Sequence, residues 1–231
     1  MDQSELNFNP QTGIAQELEP GLRRIVARNP SPMTFRGTNT YMLGTQNITI
    51  IDPGPDDPNQ LSAILSALQK GQQITSILVT HSHIDHSPLA NRLSIETGAN
   101  TYAFGPTGSG QSEVMSDLIC SGYQGGGEGS DYHFFPDICL SDGAKIYGLD
   151  DPLEAIHTPG HFGNHLSFVW KDAVFSGDHV MGWASTMVSP PDGDLSDFLA
   201  SCRKLQSQKW RVFYPGHGAP IRKPNQRLEW L

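Results

Sequence analysis

The chain has 231 residues, 37% hydrophobic and 17% charged, with a formal charge of −9. That length supports one substantial core or two small ones, and no apolar run approaches the length that crosses a bilayer, which excludes a helical membrane protein. The acidic balance disfavours a broad electrostatic footprint for nucleic acid, although a strongly cationic metal centre can hold a phosphate in an acidic protein.

The start, Met1-Asp2-Gln3-Ser4-Glu5, has no apolar stretch behind it and does not read as a secretory signal. Tyr41-Met42-Leu43 and Ile48-Thr49-Ile50-Ile51 flank a turn-like Gly44 to Asn47 and predict a hairpin. Asp52-Pro53-Gly54-Pro55 ends the second strand, because proline cannot continue a ladder. Leu61, Ile64, Leu65 and Leu68 recur at helical spacing, so Asp57 to Lys70 predicts an amphipathic helix closed by Gly71. Ile74 to Thr80 reads as a buried strand, and Ser87 to Thr97 as a helix with Pro88 in its first turn. Gly105 to Gly129 is a Gly- and Ser-rich insertion, including Gly125-Gly126-Gly127, with a short helical patch at Val114, Leu118 and Ile119. Segments of this length are either disordered or functional. Strands resume at Ile138, with Lys145–Leu149, Leu153–His157, Leu166–Trp170 and Ala173–Ser176 the clearest. Asp194 to Gln206 predicts a helix with Leu195, Phe198, Leu199, Cys202 and Leu205 on its apolar side, capped by Asp194 or Ser196. Val212 to Tyr214 is a last strand and Asn225 to Leu231 a helix start. Strands in two batches, each followed by helices, predict an α/β fold of two sheets with helices on the outer faces. Cys120, Cys139 and Cys202 are odd in number and fit no zinc pattern, so free thiols and a cytoplasmic location are expected. Arg222, Lys223 and Arg227 read as a solvated basic face.

The chemistry concentrates at His81-Ser82-His83-Ile84-Asp85-His86, three imidazoles and a carboxylate within six residues after an apolar strand. Side chains this crowded converge when the backbone turns around a metal, and imidazole with carboxylate suits zinc, iron or manganese. A merely polar loop is the competing reading, weaker for four such residues than for a lone histidine. Three later segments end a strand in glycine followed by a ligand-type residue: Pro159-Gly160-His161, Ser176-Gly177-Asp178 and Pro215-Gly216-His217. Glycine lets the chain turn tightly there, so the next side chain can point over the sheet edge. Any one of these is equally a turn residue; all three downstream of the histidine cluster indicate ligation.

With these residues in place the chain resembles the metallo-β-lactamase superfamily, whose order His-x-His-x-Asp-His, His, Asp, His is filled at every position. The resemblance runs from about Thr38 to Pro220 and implies a four-layer αββα sandwich. It implies two divalent metals, zinc with iron or manganese as alternatives. His81, His83 and His161 would hold one metal, Asp85, His86 and His217 the other, and Asp178 would bridge them. Asp52 matches an early aspartate that supports the site without binding metal. No cysteine lies in a ligand segment, which separates the chain from true zinc β-lactamases and places it nearer the glyoxalase II, lactonase and ribonuclease Z side. Asn39-Thr40-Tyr41, His157-Thr158-Pro159-Gly160-His161 and Tyr214-Pro215-Gly216-His217-Gly218 look most like the β-lactamase-like protein 2 group. Members of that group continue into a small winged-helix-like domain about where this chain stops. A single domain over residues 1–231 is therefore expected.

The resemblance implies hydrolysis of an ester-type bond by a water activated between the metals, with Asp85 orienting the nucleophile and moving its proton. The substrate it leads one to expect is a small phosphodiester, thioester or lactone, or single-stranded RNA. A mononuclear iron persulfide dioxygenase and a non-catalytic binding module are the alternatives on the same scaffold. Asp52 is expected to accept from a ligand imidazole. His165 is a candidate for substrate contact or support of the ligands, whereas His133, His157 and His179 read as structural. Loops at Ser31–Thr38, Gly105–Gly129 and Gly182–Asp194 would set specificity, the last as a substrate wall or a homodimer contact.

Overall fold

The computed structural model describes residues 7–123, 125, 129–149 and 151–231. A seven-stranded sheet holds, in spatial order, β1 (Gln16–Glu19), β2 (Leu22–Val26), β3 (Asn39–Leu43), β4 (Asn47–Ile51), β5 (Gln73–Leu78), β6 (Asn100–Ala103) and β7 (Ile138–Cys139). Its first four strands are antiparallel and β4 to β7 run parallel. A five-stranded sheet follows, formed by β8 (Lys145–Ile146), β9 (Leu153–His157), β10 (Leu166–Trp170), β11 (Ala173–Gly177) and β12 (Val212–Pro215). Only its β11–β12 pair is parallel. The helices are α1 (Pro58–Ser66), α2 (Leu89–Thr97), α3 (Glu113–Cys120), α4 (Leu195–Gln206) and α5 (Pro224–Trp230).

Side chains alternate across a strand, so each sheet can bury both faces. Tyr41, Leu43, Ile51 and Leu78 of the first sheet meet Leu166, Phe168, Phe175 and Tyr214 of the second in a central core. Met42, Ile48, Ile50 and Ile77 point the other way onto Leu61 and Ile64 of α1 and Leu89 and Leu93 of α2. Behind the second sheet, Val174 and Phe213 pack on Phe198, Cys202 and Leu205 of α4 and Leu228 of α5. These are the four layers of an αββα sandwich, as the sequence leads one to expect.

Local signals set most boundaries. Asp57 caps α1 by accepting from the Asn59 N–H, and Asp194 caps α4 by accepting from Ser196 and Asp197. The α1 helix stops at Ser66, short of the expected Lys70, because side chains compete for its last turn. The Arg23 guanidinium donates to the Ala67 carbonyl, and Gln72 Oε1 accepts from the Gln69 N–H at 3.0 Å. The β8 strand ends at Ile146, before Gly148 at φ +116°. Leu195 and Leu199, expected on the apolar side of α4, are exposed, leaving Phe198, Cys202 and Leu205 to make the contact. Met1–Glu5, Gly126 and Gly127 lie outside the described residues. All three cysteines are free, and among the described residues no helix is long and apolar enough to cross a membrane.

Phe168 is fully buried between the sheets. Phe168→Ala is expected to cost about 3–5 kcal/mol, read as a lower denaturant midpoint at unchanged slope.

Candidate metal centre

The parallel pairs β4–β5 and β11–β12 place the C-terminal ends of these strands at the rim where the two sheets meet. Asp52 follows β4, the His81–His86 loop follows β5, Asp178 follows β11 and His217 follows β12, while His161 lies in the turn between β9 and β10. The structure brings all seven expected ligand residues together there, every one of them buried. Gly216 is required for this closeness, since a Cβ on it would lie 2.2 Å from Asp178 Oδ1.

The donor atoms fall into groups that could hold a cation: His81, His83 and His161; Asp85, His86 and His217; and His81, His86 and Asp178, each within 4.8 Å. In the first, His83 Nδ1 lies 2.9 Å from His81 Nε2 and 3.1 Å from His161 Nε2. In the second, His86 Nε2 lies 3.2 Å from Asp85 Oδ2 and 3.4 Å from His217 Nε2. Asp178 Oδ2 sits between the groups, 3.1 Å from His217, 3.5 Å from His86 and 3.8 Å from His161. Nitrogens about 2.0–2.1 Å from a tetrahedral zinc lie roughly 3.3 Å apart, so these spacings are close to those around one ion.

The outward-facing nitrogens settle which ring atoms carry protons. His161 Nδ1 lies 2.7 Å from the Met187 carbonyl and His217 Nδ1 3.3 Å from the Gly37 carbonyl, and carbonyls only accept. His86 Nδ1 donates to Asp52 Oδ2 at 3.0 Å. Thr80 Oγ1 donates to the same oxygen at 2.8 Å, so it accepts from His81 Nδ1 at 3.0 Å. With their Nδ1 protons outside, His81, His86, His161 and His217 all turn Nε2 inward toward one another. Asp85 Oδ1 and Asp178 Oδ1 are buried with no hydrogen-bond partner among the described residues. Ring nitrogens and carboxylates brought this close need positive charge among them, a proton or a metal ion, and this donor set fits a divalent cation.

Electrostatics divides the two sides. Burial pushes His81 well below its usual range, His83 down to about 3 and His161 lower as well, so that side is neutral. Burial also opposes charge on His217 and His86, but the carboxylates outweigh it. Asp178 and Asp85 raise His217 to about 10, and Asp85, Asp178 and Asp52 hold His86 well above its usual range. Burial alone would raise Asp85 and Asp178; these imidazoles hold both well below the carboxylate range.

Asp52 supports the cluster as expected, taking the Thr80 N–H at 2.7 Å besides Thr80 Oγ1 and His86. It stands at φ +52°, a left-handed conformation rare for any residue but glycine. His165 is fully buried behind His81, its Nδ1 on Thr158 Oγ1 at 2.9 Å. His157 stacks on Phe104 and His179 points away onto Phe198 and Cys202. His133, read as a hydrogen-bonded structural histidine, has an exposed side chain. Sequence reasoning missed Thr38, whose hydroxyl donates to Asp85 Oδ2 at 2.8 Å, and Thr80, whose position between strand and ligand was the available signal. The carbonyls of Met187 and Gly37 carry no sequence signal at all.

The three expected specificity loops surround this cluster. A cavity of about 200 Å3 over His161 and Asp178 is lined by Met33, Met181, Trp183 and Met187. A second, of about 290 Å3 over Asp85, is lined by Asn29, Met33, Pro55 and Ile84 among others. Residues on either side of the Gly-rich stretch hold the histidine loop: Thr107 Oγ1 donates to Ser82 Oγ at 2.8 Å and the Asp131 N–H to the Ser82 carbonyl at 2.8 Å. Arg227, expected in a solvated basic face, instead donates from Nε to the Met181 carbonyl at 2.7 Å and from Nη2 to that of Ala184 at 2.5 Å, bracing the first cavity wall.

A sequence model described as the metallo-beta-lactamase superfamily matches residues 33–217. An atrochrysone carboxyl ACP thioesterase from Aspergillus fumigatus is 34% identical over 220 residues, covering 92% of this chain and 60% of that protein. One of the same name from Passalora fulva is 29% identical over 229 residues, covering 94% and 59%. The chain thus spans about three-fifths of the length of these relatives. Among solved structures, a beta-lactamase domain protein from Burkholderia ambifaria superposes with a TM-score of 0.76 at 21% identity, covering 97% of this chain and 77% of that one. A metallo-beta-lactamase family protein from Thermus thermophilus gives 0.72 at 23% identity, covering 93% and 79%. The matched segment opens on the Met33 loop and closes on His217, and with the four layers and the buried donor cluster at their rim, the chain belongs to the metallo-β-lactamase superfamily.

Proposed function

We propose that this protein is a metal-dependent hydrolase of thioesters. The observation that carries the reading is the inward convergence of four imidazole Nε2 atoms, each ring locked by an acceptor or hydroxyl at its outer Nδ1. His81, His83 and His161 would hold one divalent ion and Asp85, His86 and His217 a second, with Asp178 between them. Zinc is the proposed metal, iron and manganese being compatible with the same donors. Bound ions of this kind supply Lewis acidity toward a carbonyl oxygen and bring water toward ionisation near neutral pH. Asp85 is the proposed catalytic carboxylate: Thr38 occupies its Oδ2, leaving the unpartnered Oδ1 to orient the attacking water and carry its proton.

The thioester follows from two supports. Relatives covering most of this chain are named as acyl carrier protein thioesterases. The cavities are walled by methionine, tryptophan, isoleucine and proline, and no lysine or arginine is among their described lining residues. Such walls suit an acyl group and offer nothing to neutralise a nucleic-acid backbone.

The test is a panel of thioester, lactone, phosphodiester and β-lactam substrates given to metal-loaded protein, with oxygen uptake followed alongside. Thioester turnover that stops on chelation is expected. A fully loaded protein silent on every thioester, or one that consumes oxygen with a persulfide, overturns the reading. Asp178→Ala and His86→Ala should each abolish hydrolysis and lower metal content; two retained metals in Asp178→Ala would refute its bridging place. Asp52→Ala should weaken metal affinity about 10–100-fold, measured by chelator competition, because it frees His86 and, through Thr80, His81. Metal must displace the proton that keeps His217 charged up to about 10. Uptake at pH 7 should therefore release protons, and affinity should rise with pH, both read by calorimetry in buffers of different ionisation enthalpy.

A further inference from the structure

The two cavities are separate, touch different members of the donor cluster and share Met33 as a common wall. One opens on His161 and Asp178 and the other on Asp85, so the reacting centre lies between them. From this arrangement we infer that the substrate carries an apolar arm on each side of the scissile bond, one arm seated in each cavity. The inference rests on the thioester reading and adds to it that the thiol side, as well as the acyl side, is bound through hydrophobic surface.

The second cavity is more apolar than its residue names suggest. Ser31 Oγ accepts from the Met33 N–H at 3.1 Å and the Thr34 N–H at 3.0 Å. Thr34 Oγ1 donates to the Asn29 carbonyl, and the Asn29 side chain is taken up with Thr38 at 2.9 and 3.0 Å. With these polar atoms committed to the loop itself, Met33, Pro55 and Ile84 present the binding surface. The first cavity is held open by fixed walls: Trp183 stacks on Phe35 at 4.9 Å with an interplanar angle of 11°, and Arg227 braces the loop behind it. Walls built before the ligand arrives give affinity without an ordering cost. In the reaction, the water oxygen bonds to the acyl carbon and the carbon–sulfur bond breaks. One water proton ends on the departing sulfur, giving a carboxylic acid and a thiol, each leaving from its own cavity.

Four thioesters test this, pairing an acetyl or naphthoyl acyl group with a methyl or hexyl thiol. Met187→Ser alters the first cavity and leaves its backbone carbonyl on His161. Ile84→Ser alters the second, with Pro55→Ser in its place if Ile84→Ser loses metal. One variant should lower kcat/KM about tenfold only where the acyl arm is large, and the other only where the thiol arm is large. Loss on the same arm in both, or on neither, overturns the inference. A readout without turnover uses 2-naphthamide and hexyl methyl sulfide, which present the two arms without a cleavable bond. Both should bind at once to the metal-loaded protein, each weakened by one variant, whereas mutual exclusion would refute two seats. Wild-type silence on all four thioesters defeats the thioester reading alone, and the fragment measurement still decides the arms.

Discussion

The Asp52 carboxylate is the constraint on which the centre depends. Its two oxygens accept from the Thr80 amide, the Thr80 hydroxyl and His86 Nδ1, so one side chain aligns an imidazole in each of two donor groups. His86 is held directly and His81 through the Thr80 hydroxyl. Imidazole lone pairs aimed at one another are unstable unless each ring is fixed from behind, and a ring free to rotate would turn its proton inward. The left-handed backbone of Asp52 costs about 1–3 kcal/mol. It is offset by those charge-assisted bonds and by the Thr40 hydroxyl, which donates to the Asp52 carbonyl at 2.7 Å.

The sandwich converts that local arrangement into a centre by joining two sheets at one rim. Asn39 donates to the carbonyls of Pro215 and Gly218 at 2.9 and 3.0 Å, and Tyr41 OH to Pro215 at 2.7 Å. These bonds tie the His217 loop of the second sheet to β3 of the first, and the Leu166 N–H meets the Thr80 carbonyl at 2.7 Å on the other side. Layer packing and ligand placement are thus one problem: a shift between the sheets would separate His161, Asp178 and His217 from the histidine loop. The cavities, in contrast, belong to loops outside the ladders. Trp183, Met187 and Met33 can differ among proteins of one fold without disturbing the donors, which is how a shared scaffold serves different substrates.

Much of the fold is legible along the chain. The β3–β4 hairpin, the helices capped by Asp57 and Asp194, and the strands of the second sheet follow from periodicity and turn chemistry that act over a few residues. β1, β2 and β6 are less legible. Glu17, Glu19, Arg23 and Arg24 interrupt the apolar alternation, and Arg24 is buried by its neighbours, its guanidinium over the Phe8 ring at 4.7 Å. The early end of α1 was equally hidden, because one of the groups that compete for its last turn, Arg23, comes from elsewhere in the chain.

The donors themselves were determined by the sequence, since their identity and order are local chemistry: His81, His83, Asp85 and His86 in one loop, then His161, Asp178 and His217 after glycine. Tertiary structure decided which nitrogen of each ring faces inward: Asp52 and Thr80 hold His86 and His81, and backbone carbonyls at Met187 and Gly37, invisible in residue type, hold His161 and His217. It also decided that His165 lies behind the ligands and that Thr38 leaves one Asp85 oxygen unclaimed. Finally, it made the second cavity hydrophobic although Ser31 and Thr34 line it, because their hydroxyl oxygens are engaged by the backbone of their own loop, and only the folded loop shows which atoms remain to meet a ligand.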